Sequence, residues 1–240
     1  MPFFHDTGAD DEALERPIWG VFALVKDNLE RVMLANIGWA LQLLPALVAL
    51  AFQQLPVALR LVLLFYSLTT LAPATALLYI WMGRVCQGEL LRLEMLREDL
   101  REQLVPSLRR LAPLFGILGL SYILIVLLSF AHLVLLDTLA RFLFIILLVC
   151  ALHWGPLFAA YPGHSVFFLL RKSLLLAWRY PGPTLLTGLV VLLVALFGLL
   201  TVVTFFVIVP AVLALLQTRR CLELLAREHI RESRLKVGAA

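Results

Sequence analysis

The chain has 240 residues, of which 62% are hydrophobic and only 15% charged, so it has room for one helical bundle but not for a separate soluble domain. Its formal net charge of +4 does not point to nucleic acid, because the basic residues lie beside apolar blocks, as they do in the loops of membrane proteins. The three cysteines are isolated in sequence, which excludes a disulfide framework.

The first two apolar blocks follow a polar, acidic N-terminal segment of residues 1–31. They run over residues 32–52 and 57–82 and are separated by the polar break Gln53-Gln54-Leu55-Pro56. A hydrocarbon core about 30 Å thick needs about 20 helical residues, so each block is long enough to cross a membrane. Pro73 removes a backbone donor inside the second block, which predicts a tilted or broken helix there.

Residues 83–111 have a different pattern. Near 88–104, leucines and a methionine recur at spacings close to three and four among Arg and Glu, which predicts an amphipathic helix on the membrane surface. The third and fourth apolar blocks, residues 111–136 and 139–161, are separated only by Asp137-Thr138, which predicts a tight helical hairpin with its turn at those residues.

A second amphipathic segment, residues 165–179, lies between two Pro-Gly pairs and carries Arg171, Lys172 and Arg179, a composition suited to the membrane interface. The last apolar block, residues 183–217, is about 50 Å long as one straight helix, which is too long for one perpendicular span.

The distribution of basic residues predicts the topology. Eighteen of the 20 lie in four segments, residues 1–31, 84–110, 162–182 and 218–240. Lys and Arg collect in cytoplasmic loops, and a turn near Gly198–Thr201 would place all four segments on that side. A single last span would instead place the basic C-terminal segment outside.

We therefore predict one all-α membrane domain over residues 1–240, with six spans, or alternatively five. The bundle occupies residues 32–217 and carries the two amphipathic interface helices. The N-terminal segment and the basic tail, residues 218–240, are expected in the cytoplasm.

Few residues within the apolar blocks could carry chemistry. The candidates for a polar path through the bundle, or for packing within it, are Asn36, Gln42, Thr70, Pro73, Tyr122 and His153. The only histidines within the blocks are His132 and His153, and no carboxylate accompanies them, whereas zinc sites take three or four ligands. We expect no metal, no cofactor and no catalytic residue.

Three short motifs resemble the YesL-like family of bacterial membrane proteins of unknown function: Leu34–Trp39, Thr70–Tyr79 followed by Gly88-Glu89, and Leu170–Pro181. The chain departs from the family by an insertion before Thr70 and by Leu and Met in place of phenylalanines in the first surface helix. The resemblance implies a multi-span protein of the bacterial cytoplasmic membrane. Genes of this family often lie beside carbohydrate ABC transporter components, which implies sugar permeases as partners.

Three functions remain open from the sequence. The first is a non-enzymatic membrane protein that binds other membrane components through its surface helices. A homo-oligomer is an open alternative within this reading. The second is a small transporter or channel, whose path would add Tyr66 and Ser67 to the candidates above. The third is an intramembrane enzyme, for which the sequence offers no nucleophile or metal set.

Overall fold

The computed structural model describes residues 25–26, 28–89, 93–201 and 208–237, and within those residues it has eight helices and no strand. The helices are α1 (Leu29–Leu41), α2 (Leu44–Ala51), α3 (Val57–Cys86), α4 (Leu93–Phe130), α5 (Val134–Ala160), α6 (Val166–Arg179), α7 (Pro181–Leu200) and α8 (Val209–Val237).

Four of these helices, α3, α4, α5 and α7, are long and apolar enough to cross a membrane, and the bent pair α1 and α2 makes a fifth if it is one span. The predicted helical membrane bundle is confirmed at this level. The count of six spans stays a prediction. It requires the chain to turn within the last apolar block, and residues 202–207 of that block lie outside the described residues.

The first apolar block is a broken helix. Helices α1 and α2 meet at an angle of 45° across Gln42 and Leu43, and Pro45 lies in the first turn of α2. Proline has no N–H to donate and its fixed φ suits a helix start, so the chain begins a new helix there. The predicted break at residues 53–56 is confirmed as the connection between α2 and α3.

Helix α3 is continuous through Pro73, so of the predicted alternatives, a tilted or a broken helix, the break is excluded and the tilt stays a prediction. A proline removes one hydrogen bond, and the remaining turns keep theirs because an apolar environment offers the backbone no other partner. The helix ends at Cys86 and is followed by Gly88, whose φ of 73° is the left-handed conformation that glycine adopts most easily.

Helix α4 joins two elements that the sequence analysis separated. The surface helix predicted near residues 88–104 and the span predicted from Leu111 form one helix of 38 residues, about 57 Å long at 1.5 Å per residue. Pro106 and Pro113 lie inside it without ending it. Side chains of α3 bind Asp99 near the start of this helix.

The hairpin between α4 and α5 turns at residues 131–133, not at Asp137-Thr138 as predicted. His132 lies in this turn with a φ of 55°, so its predicted place within a span is wrong. Asp137 lies in the first turn of α5, where a carboxylate is favoured by the exposed N–H groups, and it accepts hydrogen bonds from Ser129 and Arg141.

The last two basic segments lie in helices α6 and α8. Helix α6 confirms the amphipathic segment predicted at residues 165–179, and Ser165 caps it by accepting a hydrogen bond from the Phe168 N–H at 3.3 Å. The predicted basic tail, residues 218–240, is helical in its described part, because α8 continues to Val237. Cys221, expected in that tail, is fully buried.

The buried core lies toward one end of the bundle. This end, called the charged end below, comprises the last turns of α3 and α5, the first half of α4, helix α6 and the second half of α8. The opposite end, the far end, carries the connections at residues 52–56 and 131–133. At the charged end a Cβ added to Gly155 would lie 2.1 Å from the Tyr79 ring, so α3 and α5 are in close contact there.

Candidate functional site at the charged end

A buried carboxylate joins α6 to α8. Glu228 is only 2% exposed, and its two oxygens lie 2.9 Å from Lys172 Nζ and 2.6 Å from Arg179 Nη1. Two cations thus face one anion. Burying charges costs free energy that only close opposite charges offset, so this arrangement holds α6 in one position against α8.

A second buried carboxylate joins α3 to α4. Asp99 is 8% exposed and accepts two hydrogen bonds from Arg84, at 2.5 Å and 2.8 Å, and one from Trp81 Nε1 at 3.2 Å. A two-point contact between guanidinium and carboxylate fixes orientation as well as distance. The long helix α4 is thereby anchored near its start.

Neutral hydrogen bonds connect the same helices closer to the bundle centre. Trp154 of α5 donates its Nε1–H to Ser173 of α6 at 3.2 Å, and both residues are fully buried. The Tyr79 hydroxyl of α3 donates to the Gln217 side chain of α8. These bonds satisfy buried polar groups of four helices.

Cys221 lies in this core beside the ion pairs. Burial raises the pKa of its thiol to about 12, with the charge of Lys172 acting weakly in the opposite direction. Its thiol therefore stays protonated at neutral pH and packs as a small apolar group.

Among the residues predicted for a polar path, Asn36 has a structural role that its position explains. Its side chain is fully buried, and its Oδ1 accepts a hydrogen bond from the Ala211 N–H at 2.9 Å. Ala211 is in the first turn of α8, where the backbone N–H groups have no partner within the helix. Asn36 of α1 thus caps α8 from a neighbouring helix.

Ser67 does the same for α2. Its hydroxyl oxygen accepts a hydrogen bond at 3.0 Å from the N–H of Ala46, in the first turn of α2, just after the break at Gln42 and Leu43. An unpaired N–H in an apolar environment costs several kcal/mol, so this contact makes the break in the first span tolerable. Gln42 itself is half-buried at the break.

The other predicted path residues lie apart from these. His153 is buried, and its Nε2 lies 3.4 Å from Thr184 Oγ1 of α7. The Thr70 hydroxyl donates to the Tyr66 carbonyl of its own helix at 2.9 Å. Pro73 is buried in α3, whereas Tyr122 is 59% exposed on the far half of α4. The structure therefore brings these candidates to different helix contacts.

Two other kinds of binding site bear on the function: a metal centre and an open groove. Within the residues that the structure describes, no group of three His, Cys, Asp or Glu side chains could hold a metal ion. One open groove of about 550 Å³ follows the far half of α3, and the side chains lining it are apolar: Leu61, Val62, Leu64, Phe65 and Leu68. Its chemistry suits hydrocarbon and offers no polar path.

Sequence reasoning missed the two buried carboxylates. Glu228 follows Cys221, Leu224 and Leu225 by seven, four and three residues, so a helical period places it on the same buried face. That signal was present but lay in the segment predicted as a cytoplasmic basic tail. For Asp99 the signal was weaker, because it lies among other charged residues and only the packing of α4 against α3 buries it.

An apolar stripe on α4 extends beyond the core. Leu114, Leu111 and Ser107 are fully buried and share one face of the helix. The same face continues at Leu104 and Leu100, but each of these is 42% exposed. At this level α3 covers the side of α4 that carries Asp99, and the stripe at Leu100 and Leu104 stays exposed.

Comparison of the chain with protein-family models, with curated proteins and with solved structures found no match. The fold places the chain among all-helical membrane proteins. Its membership of the YesL-like family stays a prediction.

Proposed function

We propose that this chain is a non-enzymatic membrane protein that binds a helix of another membrane protein through the projecting first half of α4. The observation that carries the proposal is the uncovered continuation of the α4 stripe at Leu100 and Leu104. The resemblance found in the sequence makes a carbohydrate ABC permease the partner we propose.

The length of α4 supports this reading. Arg109 and Arg110 are the last charged residues of α4 before its apolar part, so the helix enters the hydrocarbon near them. The preceding residues 93–108 extend about 24 Å at 1.5 Å per residue. An exposed apolar stripe on a helix outside the hydrocarbon is a typical contact for an amphipathic partner helix.

The charged residues on the opposite face of α4 are consistent with a partner bound at the leucine stripe. Arg97, Glu98, Arg101 and Glu102 are exposed, and Glu98 and Glu102 lie on the side of α4 away from Leu100 and Leu104. Water can solvate this charged side while the leucine side is covered. The ion pairs of Asp99 keep the projecting helix in place, so little ordering is needed on binding.

The experiment compares two double variants of the tagged full chain, purified from native membranes in mild detergent. L100Q/L104Q removes the apolar stripe. E98Q/E102Q also introduces two glutamines, but on the charged side of α4. All three chains carry a photo-cross-linking residue in place of the exposed Arg97, beside the stripe. We expect a membrane-spanning protein, identified by mass spectrometry, to be cross-linked to the parent chain and to E98Q/E102Q but not to L100Q/L104Q.

Two results would contradict the proposal: a chain that always emerges alone, or equal retention by both double variants. The carbohydrate part is tested separately. Deletion of the gene should lower uptake of at least one sugar, and unchanged uptake of all sugars tested would refute it while leaving the α4 contact open to the first experiment.

The finer topology belongs to the same proposal. We infer six spans in the bacterial cytoplasmic membrane, with both termini cytoplasmic, from the distribution of basic residues. The close approach of Gly198 and Val209 supports a return of the chain after α7, since a Cβ at Gly198 would lie 2.9 Å from Val209 Cγ2. Cysteine labelling of the two termini from each side of the membrane tests it.

A small transporter or channel is the second candidate, and one observation favours it. Two helices begin at caps supplied by neighbouring helices, α2 at Ser67 and α8 at Asn36, and transporters use discontinuous helices of this kind. Flux of a solute into proteoliposomes that falls in the Asn36→Ala variant would support this function. Flux that is absent, or unchanged by that substitution, would count against it.

A further inference from the structure

Helix α6 has an exposed stripe opposite the face that it buries. The buried residues are Leu169, Ser173 and Leu176. At about 3.6 residues per turn, residues spaced four, three and four apart return to the same face of a helix. The exposed residues with that spacing are Phe167, Arg171, Leu174 and Trp178.

The stripe combines aromatic surface with one cation. Phe167 is 74% exposed and Trp178 is 83% exposed, which makes them two of the most exposed aromatic side chains at the charged end. Lys172 and Arg179, on the flank of the helix, are bound to Glu228. Arg171 forms no ion pair with any residue in the described part of the chain, so its guanidinium is available.

The connections of α6 keep this stripe at the membrane surface. Residues 161–165 join it to α5, and Tyr180 alone joins it to α7. Both neighbours are candidate spans. A helix tied so closely to two spans at their charged ends cannot move far from the level at which those spans leave the hydrocarbon.

The charge around α6 favours an anionic ligand. Helix α6 carries three basic residues and no acidic residue. Helix α8, to which it is bound, carries six basic and three acidic residues. Such an excess of positive charge at a membrane surface attracts anionic headgroups.

We propose that the stripe of α6 binds anionic phospholipid headgroups of the membrane in which the protein lies. The Arg171 guanidinium donates hydrogen bonds to a lipid phosphate, a group that its planar geometry matches. Phe167 and Trp178 lie in the interface on either side, where aromatic rings are favoured, and Leu174 contacts the upper acyl chains. This inference is independent of the contact proposed for α4.

The test uses the full chain in phosphatidylcholine nanodiscs that contain equal minor fractions of either brominated phosphatidylcholine or brominated phosphatidylglycerol. Bromine quenches a nearby tryptophan, and the Trp178 signal is the difference between the wild type and W178F. We expect both lipids to quench Trp178 and phosphatidylglycerol to quench it more, because one Arg near an anionic surface gives up to about fivefold preference at low salt.

The matched variants locate the preference. R171Q should make the two lipids quench equally, whereas R109Q, which removes an exposed arginine of α4, should keep the excess. High salt should reduce the excess through screening. Equal quenching in the wild type, an excess that persists in R171Q, or quenching by neither lipid would overturn the proposal, the last because the stripe would then face water or protein.

Discussion

The two halves of helix α5 show how differently the two ends of this bundle are built. Toward the charged end, its buried residues include Cys150, His153, Trp154 and Phe158. Toward the far end, Val134 is 76% and Leu135 84% exposed. Both halves are apolar in sequence, so hydrophobicity alone does not distinguish the half that packs against protein from the half that faces lipid.

Polar side chains divide in the same way. At the charged end, they form bonds between helices, as Trp154 does with Ser173 and Glu228 with Lys172. Toward the far end, Thr70 and Ser121 bond to carbonyls of their own helix, and the contacts between helices join chain neighbours, as Ser67 does with α2 and Ser129 with α5. Lipid offers no hydrophobic driving force between helices, so specific polar contacts and close packing must define the arrangement. The buried ion pairs of Asp99 and Glu228 and the buried core lie at the charged end.

The largest effect is expected from Glu228→Ala. The substitution leaves Lys172 and Arg179 without their buried counter-charge, which should lower the free energy of unfolding by about 3 kcal/mol. Unfolding by SDS in mixed micelles, followed by circular dichroism, measures it. Glu223→Ala on the same helix is the control, because the ion pairs of Glu223 in the described part of the chain lie within α8, and the substitution should cost less than about 1 kcal/mol. Equal losses would remove the distinction between a tertiary and a local ion pair.

Two glycine substitutions test whether close helix packing distinguishes the charged end from the rest of the bundle. Gly155→Ala places a methyl group against the Tyr79 ring and should destabilise the protein by about 2 kcal/mol. Gly119→Ala on α4 has open space around the new methyl group and should be neutral or stabilising by up to about 1 kcal/mol. The same unfolding assay tests both, and opposite signs are the expected result.

A smaller loss is expected from removal of the cap on α8. Asn36→Ala leaves the Ala211 N–H without its acceptor and should cost about 1 to 2 kcal/mol. Hydrogen exchange at the first turn of α8 should rise in this variant, while exchange at the last turns of α3 should not. Unchanged protection at Ala211 would mean that another group supplies the cap.

The smallest effect is expected from Thr70→Val. Its hydroxyl bonds only to carbonyls of the preceding turn of α3, which already accept bonds within the helix. The change in unfolding free energy should stay below about 0.5 kcal/mol. A loss as large as that of Asn36→Ala would show that Thr70 bonds across helices and would weaken the contrast between the two ends.

Much of the secondary structure could be predicted because helix signals are local. The break at residues 53–56 and the amphipathic helix at residues 165–179 are confirmed. The errors occurred where packing overrides local signals: Pro73 does not break its helix, the first surface helix and the third span form one helix, and the α4–α5 turn lies at His132, not at Asp137. Asp137 was read as a turn residue, but a carboxylate is equally favoured in the first turn of a helix.

The sequence by itself determined that this chain belongs in a membrane and that it is helical, because both properties depend on composition and on short-range periodicity. Only the tertiary structure decided what its polar residues do. Asn36 and Ala211 are 175 residues apart, and neither has a neighbour in sequence that indicates the other. The uncharged blocks could be identified one at a time, but the contacts that hold them together exist only after the helices have packed.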